Sequence, residues 1–202
     1  MRITSIKQQV KNPDRVSVFL DGKYSFSLSL DELLQKRPKK DDELSPEEVK
    51  KLKKLSADGK LRGRALEWLL NRPHSERELR DYLFRKKADP ALIRELEKEF
   101  VKKQYLDDRK YAEWLIDVRI RAGKSNRAIR SELFKKGVSR EVAEELLETE
   151  TNDEEERLKM MIAKKRKLAR YQKDPHKLAQ YLGHQGFSWS DIKQNLNSDI
   201  NT

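Results

Sequence analysis

Residues 75–84 read SERELRDYLF, and residues 125–134 read SNRAIRSELF. Each stretch opens on a serine, which caps a helix by accepting a hydrogen bond from a backbone N–H of the first turn. In the first, Glu78 follows Ser75 by three positions and completes a capping box. Leu79, Leu83 and Phe84 correspond to Ile129, Leu133 and Phe134 at an offset of 50. A fainter third copy follows. Ile129, Leu133 and Gly137 correspond to Leu178, Leu182 and Gly186 at an offset of 49, and Asp174-Pro175 replaces the serine cap. One such alignment could arise by chance, but hardly two with the caps in register. Fixed-period self-similarity marks a helical array in which each unit leans on its neighbours.

Each middle helix is flanked by two others. Ala65, Leu66, Trp68 and Leu69 predict a helix over 64–71, stopped near Pro73, and Trp68 has a counterpart in Trp114. Asp89-Pro90 opens a helix with Leu92, Leu96 and Phe100 at four-residue steps. Upstream, Ser45-Pro46-Glu47-Glu48 starts a shorter helix carrying Val49, Leu52 and Leu55, and Asp58-Gly59 is expected to end it. Before that the period changes. Val16, Val18 and Leu20 alternate with polar residues, as do Tyr24, Phe26 and Leu28, with Asp21-Gly22 between them as a hairpin turn. Residues 2–10, with Ile3 and Ile6, offer a third strand. The expected fold is therefore mainly α: tandem three-helix, helix-turn-helix-like repeats in an elongated curved array, preceded by a small β segment. Its divisions are a β segment over 1–44, a linker helix over 45–59, repeats over 60–106, 107–152 and 153–198, and a tail over 199–202.

Composition narrows the function. The 202 residues hold 46 Lys and Arg against 35 Asp and Glu, a net charge of +11, which favours an acidic partner. There is no Cys, so disulfides, thiolate metal sites and cysteine nucleophiles are excluded. No stretch approaches the roughly 18 apolar residues of a membrane span, and residues 1–10 lack the apolar segment of a secretory signal. A soluble cytoplasmic protein is the expectation. His74, His176 and His184 lie beside helix caps, without the i, i+4 spacing of a same-turn metal pair. Asp107-Asp108 is the best carboxylate pair, and it reads as an N-cap with a first-turn acid. No catalytic residue, metal or cofactor is expected.

The charge pattern is more informative. Arg77, Arg80, Arg85 and Lys86 match Arg127, Arg130, Lys135 and Lys136, and on a helix at about 100° per residue they fall opposite the apolar stripe. A solvated face and a binding face both fit. The third unit lacks these cations on its middle helix. Its first helix carries Lys164, Lys165, Arg166 and Lys167, in a block from Arg157 to Lys173 with eight basic and no acidic residues; the block before it, Glu141 to Glu156, has nine acidic and no basic ones. Phe84 and Phe134 lie beside the basic positions. They suit either packing against a flanking helix or unit, or an aromatic anchor in a basic patch.

Arg72-Pro73-His74-Ser75 with Glu78-Leu79 and Tyr82-Leu83 resembles the first repeat of the RecX family of recombinase regulators. Tyr105-Leu106-Asp107-Asp108-Arg109-Lys110-Tyr111-Ala112 is similar to the family's most recognisable segment. Arg119, Arg121-Ala122-Gly123, Ile129, Glu132-Leu133 and Lys136-Gly137-Val138 continue the likeness, and Gly186-Phe187 echoes the end of a third repeat. Gln104 stands where the family usually has Gly. The resemblance implies a monomer that binds RecA and the RecA–DNA filament, restrains strand exchange and co-protease activity, and also binds single- or double-stranded DNA, with no membrane partner. Candidate contacts are Arg72, Arg77, Arg80, Arg85, Lys86, Arg119, Arg121, Lys124, Arg127, Arg130, Lys135, Lys136, Lys164, Lys165, Arg166 and Lys167. The alternative is a helical-repeat DNA-binding protein acting without RecA.

Overall fold

The computed structural model describes residues 1–149, 154–172 and 174–198. Residues 150–153 within the acidic block, Lys173 and the tail over 199–202 lie outside the described residues. The chain divides into two compact bodies. One is Met1–Asn71 with Tyr82–Glu99; the other is Arg72–Asp81 with the chain from Phe100 onward.

The first body begins with three antiparallel strands, β1 (Ile3–Gln8), β2 (Arg15–Leu20) and β3 (Lys23–Ser29), in that order. Asp21 and Gly22 have φ of 47° and 81°, the paired positive values that a type I′ turn requires. One side-chain assignment is corrected here. The register shifts between Val18 and Phe19, which pair with Phe26 and Tyr24. The extra residue turns Tyr24 to the outer face, where it meets Phe19 edge-on, while Phe26 and Leu28 stay in the core. Ser29 and Glu32 form a reciprocal capping box that starts α1 (Leu30–Lys36), a helix too short for apolar periodicity to reveal.

α2 (Pro46–Leu70) is one helix of 25 residues, so Asp58-Gly59 does not end it. The reason is tertiary. α2 lies on the sheet with Val49 in the core of Ile3, Val18 and Leu28, and the Ser27 N–H donates to Ser56 Oγ at 3.2 Å. A Cβ at Gly59 would collide with the buried Glu32 carboxylate. The glycine thus permits a close approach, and sheet packing offsets its cost of about 1 kcal/mol inside a helix.

The remaining helices are α3 (Glu76–Arg85), α4 (Pro90–Lys102), α5 (Asp108–Arg121), α6 (Asn126–Lys135), α7 (Arg140–Thr149), α8 (Glu154–Arg166), α9 (Ala169–Gln172), α10 (Pro175–Gln185) and α11 (Trp189–Ser198). Leu79, Ile129 and Leu178 are buried, as are Leu83, Leu133 and Leu182, so the repeat alignment marks equivalent core positions. In the second body, Tyr111, Leu115 and Ile116 of α5 pack with Ile129 and Leu133 of α6 and with Ala143 and Leu146 of α7. Leu158 and Ile162 of α8 pack with Leu178 and Leu182 of α10 and Ile192 of α11. The basic block is not one helix: the chain turns after Arg166, and α9 brings Tyr171 into that core.

Candidate partner-binding surface

The middle helices α3, α6 and α10 close alike. The N–H groups of Ala88, Val138 and Phe187 donate to the carbonyls of Leu83, Leu133 and Leu182 at 3.1, 3.1 and 3.3 Å. This six-to-one closure needs a left-handed residue just before the donor. Lys87, Gly137 and Gly186 fill that place with φ of 58°, 87° and 100°.

Within the second body the start of one middle helix docks on the end of the next. Ser75 Oγ accepts from the Glu78 N–H and donates to the Lys136 carbonyl at 2.7 Å. One repeat later, Ser125 Oγ accepts from the Ala128 N–H, and the Ser125 N–H donates to the Gln185 carbonyl at 3.0 Å. An acid from the following repeat covers the next free donor: the Glu76 N–H donates to Asp108 Oδ1, and the Asn126 N–H to Glu154 Oε1. Asp107 caps α5 through the Arg109 and Lys110 N–H groups. Asp108 instead caps its neighbour, a role missed from sequence although Asp108 and Glu154 hold matching places at the starts of α5 and α8.

Glu78 is the hub of this junction. It accepts from His74 Nδ1 at 3.0 Å, from Arg72 at 3.0 and 3.3 Å, and from Lys136 Nζ at 2.7 Å. Burial raises its pKa, but the hydrogen bonds from His74, Arg72 and Lys136 outweigh that and hold the carboxyl far below its ordinary value. The Arg72 guanidinium also lies 4.8 Å from the centre of the Trp114 ring. Tyr111 is buried nearby, and burial followed by the Glu78 charge pushes its phenol pKa up.

The candidate cations fall into two groups. Arg72 and Lys136 belong to the Glu78 cluster. Arg119 grips Glu132 at 2.7 and 2.6 Å, and Arg130 grips Glu144 at 3.1 and 2.9 Å. Arg127 donates to the Gly186 and Phe187 carbonyls, Lys124 to the His184 carbonyl and Arg166 to the Leu196 carbonyl. Arg130 and Lys136, expected on a solvated face, are therefore half-buried in internal pairs. The second group stays open. Arg77, Arg85, Lys135, Lys164 and Lys167 are exposed and make no hydrogen bond or ion pair among the described residues. Arg80 pairs with Glu76 at 3.9 Å and Arg121 with Asp117, both on the surface. Lys86 and Lys165 sit over the rings of Tyr82 and Tyr181.

Two aromatic rings, one in each body, are also exposed. Phe84 is 76% exposed and Phe134 36%, while their neighbours Leu83 and Leu133 are fully buried. Phe84-Arg85-Lys86 and Phe134-Lys135-Lys136 thus place an outward ring beside a free cation at the same point of two successive middle helices. No cluster of three His, Asp or Glu that could hold a metal occurs among the described residues. No helix among them is long and apolar enough to cross a membrane.

Three family models match. The regulatory protein RecX N-terminal domain covers residues 1–45, the first RecX three-helix domain 62–96 and the second 107–147. The regulatory protein RecX of Listeria welshimeri is 34% identical over 155 residues, covering 76% of this chain; the chain spans 57% of that relative's length. Clostridium botulinum RecX is 29% identical over 206 residues, covering 99% of this chain and 97% of its own. A crystal structure of a regulatory protein RecX superposes with a TM-score of 0.71 at 25% identity, covering 97% of this chain and 98% of that one. RecX from Lactobacillus salivarius shares the fold, with a TM-score of 0.57 over 70% of this chain and 95% of that one. With tandem three-helix domains behind a three-stranded sheet, and RecX matches along the chain, this protein belongs to the RecX family of regulatory proteins.

Proposed function

We propose that this chain regulates the RecA recombinase, typically as an inhibitor, by binding the RecA–DNA filament along its groove and restraining strand exchange and co-protease activity. It performs no chemistry of its own in this reading. The observation that carries it is the repeated pairing of an exposed phenylalanine with an unpaired cation, Phe84-Arg85 and Phe134-Lys135. Exposed rings flanked by positive charge suit an acidic, periodic partner, because the ring supplies desolvated contact area and the cations steer and orient. Two weak contacts in one chain gain by effective concentration on a surface that itself repeats. The internally paired Arg119 and Arg130 are poorer candidates, since recruiting them means breaking good bidentate or doubly donated pairs.

The test is binding to preformed RecA filaments on labelled single-stranded DNA, read by anisotropy. Replacing Phe84 and Phe134 with Ala, or Arg85 and Lys135 with Glu, should leave helicity unchanged and weaken binding by about tenfold or more. Reversing Lys50, Lys51 and Lys53, exposed cations on α2, should change it far less. Equal losses from both charge sets would mean that only net charge matters. Binding to naked DNA with a steep salt dependence, and none to RecA, would instead favour a DNA-binding protein acting alone.

A further inference from the structure

In the second body a cavity of about 490 Å³ is lined by the end of α5 and by α8, with Tyr181 of α10. Arg121, Arg157, Lys164 and Lys165 reach it, against the single acid Glu156. Arg157 is the unusual member. It is only 7% exposed, yet its Nε and Nη1 have no hydrogen-bond partner among the described residues, while Nη2 donates to Asn126 Oδ1 at 2.7 Å. Three of its five N–H donors are thus buried and idle. A buried guanidinium without an acceptor is among the costlier arrangements in a protein.

Comparison with the preceding junction shows what is missing. There Tyr111 occupies the position that Arg157 takes in α8, and Glu78 supplies a carboxylate to the surrounding cations. Here the residue equivalent to Glu78 is Ala128, which brings no carboxylate. The junction has gained a buried cation, and the acid beside it, Glu154, accepts from the Asn126 N–H while Nε and Nη1 of Arg157 go without a bond. Lys164 has no ion pair among the described residues, Lys165 rests on the Tyr181 ring at 4.7 Å, and Arg121 keeps donors beyond its Asp117 pair.

We propose that this cavity binds a phosphate group, which completes the hydrogen bonding of Arg157 and is held at its rim by Arg121, Lys164 and Lys165. Arginine matches phosphate oxygens by geometry, and lysines add charge at the open side. The cavity exceeds one phosphate, and Met160 and Tyr181 offer an apolar wall for whatever carries it. The carrier is either a free phosphorylated compound or the backbone of a nucleic-acid strand. Nothing in this site requires RecA, so it stands apart from the reading above.

The experiment is calorimetric titration of the full chain with inorganic pyrophosphate against an ionic-strength-matched chloride control. One site per chain is expected. Arg157→Met should weaken binding by about tenfold to a hundredfold, the range for losing charged hydrogen bonds, and Lys164→Gln should weaken it by a few-fold. Because Arg157→Met removes an unsatisfied buried charge, its melting temperature should equal or exceed that of the parent chain. Should that variant fail to fold, the exposed Lys164→Gln and Arg121→Gln still decide the matter. Wild-type affinity in these variants, or no heat above the chloride control, overturns the site even if filament binding persists. Competition by a short oligothymidylate identifies a strand backbone as the carrier; undiminished pyrophosphate binding in its presence identifies a free phosphorylated compound.

Discussion

Glu78 and Arg157 show how one side chain can be content or restless at equivalent junctions. Glu78, with 11% of its side chain exposed, accepts from three cationic or ring donors. Its folded pKa is depressed, so its contribution to stability is present above its unfolded value near 4.5 and is lost as pH falls through the lower folded value. Glu78→Gln should therefore cost about 2 kcal/mol at neutral pH, less than the ~3–5 kcal/mol of a fully buried pair because Arg72 and Lys136 can regain water. The variant should also lose less stability than the parent between about pH 5 and pH 3, as measured by urea denaturation. Parallel stability curves across that range would show that Glu78 is not the acid-sensitive group. The serine caps, Glu78 and the cations are all visible in the sequence. Their partners are not, because Lys136 reaches Glu78 across 58 positions and no local pattern encodes such a pairing.

At the scale of elements, the three middle helices share a closure but differ in what lies against it. A Cβ on Gly137 would sit 3.0 Å from Arg77 Cβ, and one on Gly186 would crowd Ser125 Oγ and Ala128. Lys87 keeps the same left-handed backbone with an exposed side chain. Gly137→Ala should therefore destabilise by about 1–2 kcal/mol from backbone strain, with a further cost from crowding. Lys87→Gly should be near neutral or stabilising by up to about 1 kcal/mol, since glycine removes that strain at an entropic cost in the unfolded chain. Chemical denaturation of both variants checks this, and similar losses in the two would refute the packing argument. The sequence signalled these helices well, through caps, four-residue apolar steps and Gly at the closure. It misled at Asp58-Gly59, where glycine normally stops a helix but here admits the Glu32 carboxylate, and at Tyr24, where one extra strand residue reverses the face.

For the molecule as a whole, the repeats of the second body lean on one another through the ends of their helices. Removing residues 153–202 takes away the acceptors of the Ser125 and Asn126 N–H groups, Gln185 and Glu154. The core of Tyr111, Leu115, Ile129 and Leu133 stays intact within the preceding repeat. The shortened chain should fold, with amide exchange accelerated at Ser125 and Asn126 and protection kept at Ile129 and Leu133. Loss of protection at the latter pair would show that this repeat cannot stand without its successor. By itself the sequence determined the fold class, the hairpin, the repeat period and the core-facing leucines and isoleucines of the middle helices, because periodicity, caps and turns are short-range consequences of backbone geometry. Only the tertiary structure decided which cations are free, which rings point outward and where a buried guanidinium lacks an acceptor. Charge and hydropathy give a residue its preference for water. Whether that preference is met depends on neighbours that folding brings in from distant parts of the chain.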